Sequence, residues 1–424
     1  MEKQITTRNG VDIFSYSNPH MHQTCLWLYL RYGSMYEPKD YNGLAHFFEH
    51  ILFRNLNKLY NGEFYRLLDR NYVDFNATTY NEMMIFQIRF PTCKTDFVLE
   101  FFEKIFSPIV LDAKEISIER GRIRAEIRDE RELGADMRQL TQNAIWTGTQ
   151  LSKPTPGTFS SVAKIHKKQL DEARQEIFSA HNLFVYLTGN VPDDLPNKIG
   201  SILERQNFSK DVLFRDNLAP IPQSFQHRNC TVLTRKAEYS YMKLCFDVDC
   251  VQTTKAERDL LYNVLFSGDF SKFYQHLSEE TGLIYGHDAV MEEYRNIGNL
   301  RVRLDYDEKD FLQLLREVVA IFKEVKRGDF DLECARTSYT LGAELLLDNA
   351  SGLNWSLAYE SKILQVPYTL EESVQVYDSV TPQRIAQLAA EIFTTENLVF
   401  AVKGNVSAKQ LHTAREILEE LDVK

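Results

Sequence analysis

The run EIFSAHNLFVYLTGNV, residues 176–191, decides the fold because a second version of it occurs later in the chain. That copy, EIFTTENLVFAVKGNV, occupies residues 391–406, and eight of the sixteen aligned positions are identical. In both copies a helical pattern ends at Ile-Phe, a turn follows, and a β-rich run begins at Asn-Leu and closes at Gly-Asn. The offset of 215 residues is about half of the 424-residue chain, which indicates a duplication of whole domains.

The duplication predicts two homologous domains. We expect domain one over residues 1–208, a linker containing APIPQ over residues 209–229, and domain two over residues 230–424. Within each half, β-rich runs alternate with longer helical patterns. The β-rich runs are residues 23–32, 83–90, 241–248 and 299–306, and the helical patterns are residues 97–106, 115–133, 257–266 and 311–325. Because several runs alternate polar and apolar residues, the fold class is predicted to be α+β, each domain a mostly antiparallel sheet with helices packed on one side.

Composition excludes some classes of function. The net charge of −11, without a basic stripe interleaved with aromatic residues, argues against nucleic-acid binding. The N-terminal run MEKQITTRNGVDIF lacks the apolar core of a signal peptide, and no stretch approaches the roughly 20 apolar residues of a membrane span. The six cysteines form no Cys-x-x-Cys pair, which favours free thiols in a reducing compartment. We therefore expect a cytoplasmic protein.

The segment GLAHFFEHILFRN, residues 43–55, places three titratable side chains in an apolar stretch. In a helix His46 and His50 lie one turn apart on the same face, and Glu49 flanks that face. Two imidazoles suit zinc, which requires a third protein ligand and leaves one position for water. His-x-x-Glu-His is the inverse of the metalloprotease motif His-Glu-x-x-His. The alternatives are two histidines satisfied by hydrogen bonds in a core, or a di-iron site, which would need two Glu-x-x-His motifs.

A second helical pattern offers the missing ligand. EISIERGRIRAEIRDERE, residues 115–132, contains Glu119 and Glu126, which are seven residues apart and therefore share a face. On residue types alone the ligand cannot be chosen among the acidic side chains of this helix. A solvated charged face accounts for most of them.

Together, GLAHFFEHILFRN and EISIERGRIRAEI resemble the M16 (pitrilysin, inverzincin) metallopeptidases. In that family the third zinc ligand is a glutamate about 76 residues beyond the second motif histidine, and another glutamate precedes it by seven residues. Glu126 stands 76 residues after His50, and Glu119 stands seven before Glu126. The resemblance implies that His46, His50 and Glu126 bind Zn²⁺, that Glu49 is the general base, and that Glu119 is a supporting acid near the metal.

Further segments resemble the substrate-binding parts of the family. FNATTYNEMMIFQI, residues 75–88, is similar to a strand that holds the substrate backbone as an added edge strand, and a turn role for its asparagine is the alternative. SEETGLIYGHDAV, residues 278–290, resembles a second-domain segment that, with an arginine, holds the substrate carbonyl. The implied substrate-binding residues are Asn76, Ala77, Glu82, Tyr285 (or Tyr306) and Arg301.

Domain two departs from this pattern. Aligning HILF, residues 50–53, with NVLF, residues 263–266, places Asp259, Tyr262 and Asn263 opposite the three motif residues. These side chains cannot replace two imidazoles and a general base. We therefore expect one metal per chain and a non-catalytic second domain that forms a wall of the substrate chamber.

The resemblance implies a zinc-dependent endopeptidase that cleaves an extended peptide, and a chain that forms a dimer. Several segments are similar to the M16 peptidases of subtilosin-type bacteriocin clusters: GVDIFSYSNPH, HFFEHILFRN, LSEETGLIY with EEYRNIGNL, and EIFTTENL. That similarity implies that the substrate is the leader of a ribosomally synthesised thioether-bridged (sactipeptide) precursor. It also implies that the partner is a non-catalytic M16 subunit of the AlbE type, with which the chain forms a heterodimer. We expect no nucleic-acid partner and no membrane span. The alternatives are a general oligopeptide- or presequence-degrading M16 peptidase, a peptide-binding module, or a non-catalytic structural M16 subunit.

Overall fold

The computed structural model describes residues 2–130, 136–209, 212–220, 230–234 and 240–423. The strands in this part of the chain are β1 Lys3–Thr6, β2 Asp12–Ser17, β3 Gln23–Leu30, β4 Asp74–Thr79, β5 Met84–Pro91, β6 Leu183–Gly189, β7 Cys230–Thr234, β8 Ser240–Asp249, β9 His287–Glu293, β10 Ile297–Tyr306 and β11 Leu398–Lys403. The helices are α1 Leu44–Leu59, α2 Phe64–Asn71, α3 Thr95–Ile105, α4 Ala113–Glu130, α5 Asp136–Ile145, α6 Phe159–Lys164, α7 Lys167–Ile177, α8 Leu195–Glu204, α9 Lys255–Phe266, α10 Phe311–Arg327, α11 Leu332–Leu346, α12 Ala350–Ala358, α13 Leu370–Ser379, α14 Pro382–Ile392 and α15 Ala408–Glu419. Among these helices, each is too short or too polar to cross a bilayer.

The described residues form two compact units, each built on one sheet. In the first sheet the strand order is β1-β2-β6-β3-β5-β4, and in the second it is β7-β11-β8-β10-β9. One neighbouring pair is parallel in each sheet, β2 with β6 and β7 with β11, and the other pairs are antiparallel. The order β2-β6-β3-β5-β4 therefore repeats as β7-β11-β8-β10-β9. The predicted duplication and the mostly antiparallel α+β domains are confirmed.

Alternation along the strands sets the two faces of the first sheet. Leu26, Leu28 and Leu30 of β3 enter the main core, which the sheet forms with α1, α3, α7 and α8. Trp27 and Tyr29 point to the opposite face, because successive side chains of a strand alternate. The predicted helical layer on one side is thus present, and the second face of the sheet is also covered.

The helix on that second face is α12. Its Asn354 is fully buried, accepts a hydrogen bond from the Tyr29 hydroxyl at 2.9 Å, and donates to the carbonyl of Tyr186 at 2.9 Å. The hydroxyl of Thr188 donates to the Ala350 carbonyl at 2.7 Å. In the second unit, α5 takes the corresponding place, since its Met137 packs with Tyr241 and Ala401. In each unit one helix, α12 or α5, therefore packs on the second face of the sheet, in addition to the predicted helices on the first face.

The two units are not continuous in sequence. The first comprises the described residues of Met1–Ala135, Lys153–Asn217 and Leu345–Ile363, and the second those of Asp136–Ser152, Leu218–Glu344 and Leu364–Lys424. The boundary at residue 208 therefore does not describe them in full, because α5 and α12 bury their apolar faces on the sheet of the other half of the sequence. Most of the linker at residues 209–229 lies outside the described residues and stays a prediction.

The described elements agree with the sequence patterns within a few residues. Each of the four β-rich runs is a strand and each of the four helical patterns a helix, although the pattern of residues 115–133 runs past Glu130 into residues that are not described. No disulfide joins Cys25, Cys93, Cys245, Cys250 and Cys334 to one another. The sequence predicts buried thiols, and Cys25 and Cys245 are buried, whereas Cys93 is exposed and the other two are partly exposed.

Candidate metal centre

The start of α1 is fixed from outside the helix. Gly43, at φ +92°, precedes it, and a Cβ there would lie 2.7 Å from the Pro156 carbonyl oxygen, so only glycine fits. The Glu37 carboxylate accepts hydrogen bonds from the backbone N–H groups of Gly43 at 2.8 Å and Ala45 at 2.7 Å. These bonds satisfy donors that the first helical turn leaves unpaired. Burial raises the pKa of Glu37 to about 8. Because Glu37 and Gly43 fix the residue at which α1 begins, they also fix the position of the motif residues along the helix.

The two motif histidines and a residue of α4 meet at one point. Glu126 Oε2 lies 3.7 Å from His46 Nε2 and 3.5 Å from His50 Nε2. Within the described residues, these three side chains are the one group of histidine, cysteine and acidic residues whose ligand atoms all lie within 4.8 Å of one another. The convergence predicted for His46, His50 and Glu126 is therefore present.

Those separations fit a tetrahedral zinc ion. Zinc bonds of about 2.0–2.2 Å to nitrogen and oxygen give edges of about 3.3–3.6 Å between neighbouring ligands. The separation of 3.5 Å from His50 lies within that range and the separation of 3.7 Å from His46 lies just above it, and both are longer than typical hydrogen bonds. His46 Nδ1 is buried and has no hydrogen-bond partner among the described residues. Two imidazoles and one carboxylate are a donor set of catalytic zinc sites. The residues present fit the metal.

Local charges set the protonation of the candidate ligands. Burial, followed by the charge of His50, lowers the pKa of His46 to about 4, which leaves its imidazole neutral at neutral pH. Burial also lowers the pKa of His50, but the carboxylates of Glu119 and Glu126 outweigh it and raise that pKa to about 9. The contact with His50 holds the pKa of Glu126 below its usual value. Metal binding must therefore displace a proton from His50.

Glu119 connects His50 to two arginines. Its Oε2 lies 3.6 Å from His50 Nδ1, and its Oε1 accepts from Arg54 at 2.6 Å and from Arg122 at 3.0 Å. Burial raises the pKa of Glu119, but His50 and the arginines outweigh it and hold the pKa below the usual value. An ionised carboxylate beside the outer nitrogen of a ligand histidine orients that ring. Glu119 therefore lies where a supporting acid is expected.

Glu49 flanks the same point from α1. Its Oε2 accepts a hydrogen bond from the Thr79 hydroxyl at 2.5 Å, which fixes the carboxylate against strand β4. Burial raises the pKa of Glu49, although Thr79 and His50 oppose that rise. A carboxyl with a raised pKa beside a metal position suits a group that accepts and returns a proton.

The predicted substrate residues are distributed over both units. Asn76 is exposed on β4 and lines a groove beside Glu49, and its side-chain oxygen accepts from the N–H of Ala77 at 2.9 Å. Glu82 is only 8% exposed, so the first unit covers most of it, and burial raises its pKa to about 7. Tyr285 is fully exposed in the second unit. Substrate contact by each of them stays a prediction.

Arg301 lies on β10 in the second unit. Its Nε donates to Asn299 Oδ1 at 3.0 Å and its Nη1 to Gln142 Oε1 at 3.2 Å, and it pairs with Glu292. Burial lowers the pKa of this arginine. Its predicted role in substrate binding is also untested.

The second unit has no counterpart of the metal ligands among its described residues. Asp259 accepts hydrogen bonds from Lys255 Nζ at 2.5 Å and from the Tyr377 hydroxyl, and the hydroxyl of Tyr262 donates to the Ala289 carbonyl at 2.8 Å. Two of the three residues aligned with the motif, Asp259 and Tyr262, are thus bonded to protein groups.

Two family models match the chain. The insulinase model of peptidase family M16 matches residues 12–158, and the model of the M16 inactive domain matches residues 164–336. Together they cover about three quarters of the chain. The chain belongs to peptidase family M16. The insulinase model thus covers the candidate metal centre of this M16 chain, and the inactive-domain model covers residues from the end of the first unit's sequence into the second.

Relatives of this M16 chain include the uncharacterized zinc protease YmxG of Bacillus subtilis (strain 168), 22% identical over 403 residues, which are 93% of this chain and 97% of YmxG. A protease from Helicobacter pylori has a similar structure, with a TM-score of 0.86, 17% identity, and coverage of 95% of this chain and 99% of that one. The periplasmic protease PqqL of Escherichia coli has a TM-score of 0.81 at 19% identity, covering 100% of this M16 chain and 50% of PqqL. The two structures share the fold.

Four residues that support the site were not predicted from the sequence. Thr79 orients Glu49, Glu37 caps α1, and Arg54 and Arg122 hold Glu119. Arg54 follows His50 by four residues and Arg122 follows Glu119 by three, so helical spacing was the available signal for both. Thr79 and Glu37 carry no such signal, since only the folded chain brings them to α1.

Proposed function

We propose that this chain is a zinc-dependent endopeptidase acting on extended peptides. The observation that carries the proposal is the convergence of ligand atoms of His46, His50 and Glu126 within 4.8 Å of one another, with Glu126 Oε2 at 3.7 and 3.5 Å from the two rings and Glu49 beside them. The names of relatives such as the zinc protease YmxG agree with this assignment.

Zinc held there would acidify a water molecule and polarise the peptide carbonyl. Glu49 would accept the proton of that water and deliver it to the leaving amine. Thr79 would hold the Glu49 carboxylate in position, and Glu119 would hold the ring of His50. Because both supports come from outside α1, the orientation of each group does not depend on that helix alone.

Strand β4 supports an extended substrate. It is the terminal strand of the first sheet, it pairs with β5 on one side, and Thr79 at its end contacts Glu49. A terminal strand offers backbone N–H and C=O groups to a further strand. A peptide bound by this edge would be read mainly through its backbone, which favours unfolded segments over folded proteins.

The direct test combines metal analysis with peptide cleavage. Purified protein is expected to hold about one zinc per chain, to cleave unfolded peptides internally, to lose activity with chelator and to regain it with zinc. Glu49→Gln is expected to keep the metal and lose turnover. Protein that holds no zinc, or cleavage that continues unchanged under chelator, contradicts the proposal.

We further propose that the substrate is the leader of a sactipeptide precursor and that the chain works in the cytoplasm as a heterodimer with a non-catalytic M16 subunit, as in AlbF-type peptidases. The support is the sequence resemblance of GVDIFSYSNPH, residues 10–20, and of EEYRNIGNL, residues 292–300. Mass spectrometry of a modified precursor, incubated with the chain alone and with a second M16 chain, is expected to show leader release that is greater with the pair. Equal cleavage of unrelated peptides would favour the general oligopeptidase instead.

A further inference from the structure

A groove of about 750 Å³ leads away from the candidate metal centre within the first unit. It begins at Glu49 and His50 and follows α1 as far as Lys58, a distance of about 13 Å at 1.5 Å per residue. Helix α4 forms the other side, and Tyr65, which is half exposed, forms part of the wall. An extended peptide advances about 3.4 Å per residue, so the groove accommodates about four residues beside the cleaved bond.

The accessible charge of this groove is positive. Three cations line it, and the exposed fractions of their side chains are 64% for Arg122, 40% for Lys58 and 24% for Arg54. Of the acidic residues on its α4 side, Glu115 is 24% exposed and Glu119 only 2%. A substrate therefore meets guanidinium and ammonium groups before it meets carboxylates.

The carboxylates in the groove are already engaged. Glu119 accepts from both arginines, and Glu115 Oε2 accepts from Lys58 Nζ at 2.5 Å and from the N–H of Asp112 at 2.8 Å. Glu49 accepts from Thr79 at the metal end. No acidic group of the groove is left to neutralise a second arginine.

The arginines, by contrast, keep unused donors. Arg54 and Arg122 share the single carboxylate of Glu119, each through Nη1. Among the described residues, Nε and Nη2 of Arg122 have no acceptor, and Nε of Arg54 is buried without one. Two guanidinium groups on one carboxylate leave an excess of one positive charge, and planar N–H forks match the geometry of a carboxylate.

We propose that this groove is an anion-selective subsite in which Arg122, with Arg54 behind it and Lys58 at the far end, binds a carboxylate of the peptide substrate. The carboxylate comes from an Asp or Glu side chain within about four residues of the cleaved bond, or from the C-terminus of the peptide. This inference rests on the proposed peptidase function and assigns its substrate preference. Phe53 and Tyr65 would contact the aliphatic part of the bound residue.

The test uses the zinc-loaded full-length protein and a neutral, amidated peptide that it cleaves at one bond. Derivatives carry Glu or Gln at each position around that bond, and a matching pair ends in a free or an amidated C-terminus. At one position Glu is expected to lower KM about three- to tenfold relative to Gln, as for a partly exposed charge-assisted contact, with kcat little changed. A preference for Glu over Gln identifies the side-chain source, and a preference for the free over the amidated end identifies the C-terminal source.

Variants of α4 provide the control. Arg122→Gln is expected to abolish the preference, which is taken as the ratio of kcat/KM for the Glu and Gln peptides so that any change in metal affinity through Glu119 cancels. Arg122→Glu is expected to transfer the preference to Lys. Arg128→Gln is the matched control, because that arginine is on the same helix, 63% exposed, and outside the groove. Its preference should equal that of the unchanged protein.

Binding separates failure of the subsite from failure of the peptidase. The Glu49→Gln protein, which does not turn over, is titrated with the same fluorescent peptides, and acidic peptides are expected to bind about three- to tenfold more tightly. Suppose that neutral peptides are cleaved, but KM and affinity are the same for Glu and Gln at every position and for free and amidated C-termini. That result overturns the subsite and leaves the peptidase function intact. Tighter binding of acidic peptides without any cleavage upholds the subsite and rejects the endopeptidase.

Discussion

Helices α1 and α9 are two copies of one element that satisfy their polar groups in different ways. In α9, Asp259 and Tyr262 make hydrogen bonds to Lys255, Tyr377 and a backbone carbonyl. In α1, His46 and His50 approach a carboxylate at 3.5–3.7 Å without forming hydrogen bonds to it, and His46 Nδ1 has no partner among the described residues.

The difference indicates which side chains are placed to bind a ligand instead of other protein groups. Buried polar groups in folded proteins are normally hydrogen-bonded, so a cluster held apart at metal-ligand spacing is costly unless an ion occupies it. The duplicate in the second unit carries no such cost. Hydrogen bonds between protein groups satisfy the aligned residues there, so the candidate metal ligands lie in the first unit.

The largest expected effect separates the general base from its counterpart. Glu49→Gln should lower kcat about 10²–10⁴-fold with zinc content unchanged, because only proton transfer is lost. Tyr262→Phe, the change at the aligned position of α9, should leave kcat within about twofold. Peptide turnover and zinc analysis of both variants check this. A Glu49→Gln protein that cleaves peptide at the wild-type rate would remove the assigned role.

A smaller effect is expected at the acid behind His50. Glu119→Gln should weaken zinc binding about 10–100-fold, since a neutral amide orients the imidazole less firmly. Competition titration against a zinc chelator measures this. Glu103→Gln, at a partly exposed glutamate of α3 that pairs with Arg205, is the control and should leave the affinity unchanged. Unaltered affinity in Glu119→Gln would show that His50 is oriented by α1 alone.

Much of this contrast was predictable from local sequence. His46, Glu49 and His50 share a face because of helical periodicity, and alternation along β3 predicts which of its side chains lie on the same face of the sheet. Glu126 was not predictable in this way, because the meeting of α1 and α4 is a contact between residues 76 positions apart, and only the family resemblance selected it. The positions of α12 and of Glu37 were missed for the same reason.

The network around Asp259 should matter for stability alone. Asp259→Asn is expected to lower the free energy of unfolding by about 1–3 kcal/mol, because it weakens the pair with Lys255 and leaves the buried Tyr377 with a poorer acceptor. Zinc content should not change. Asp378→Asn, an exposed neighbour on α13, should shift stability by less than about 0.5 kcal/mol. Urea denaturation measures both, and zinc loss in Asp259→Asn would show that the copies are coupled.

The last comparison distinguishes the two helix caps by the pH dependence of stability. The pKa of Glu37 is raised from 4.5 to about 8, so the folded state keeps its proton where the unfolded chain has lost it. Stability due to this group is complete below about pH 4.5 and falls by about 1 kcal/mol per pH unit until about pH 8. Glu37→Gln should remove that slope.

The cap of α9 should behave in the opposite way. Burial raises the pKa of Glu257, but Arg384 and Thr254 outweigh it and hold the pKa below the usual value. Its contribution is present at neutral pH and is lost on acidification, so Glu257→Gln should flatten the acid side of the profile. Urea midpoints between about pH 2 and pH 8 for both variants test the pair, because the contribution of Glu257 is lost only below about pH 4.5. The same pH profile in both would contradict the assigned protonation states.

Anomalous diffraction at the zinc edge, from crystals of the zinc-loaded protein, locates the metal directly. Zinc binding by the candidate ligands predicts one peak per chain, about 2.0–2.2 Å from a ring nitrogen of His46, a ring nitrogen of His50 and a carboxylate oxygen of Glu126. It predicts no peak beside Asp259. A peak elsewhere, or zinc-loaded crystals without a peak between these three side chains, would contradict it.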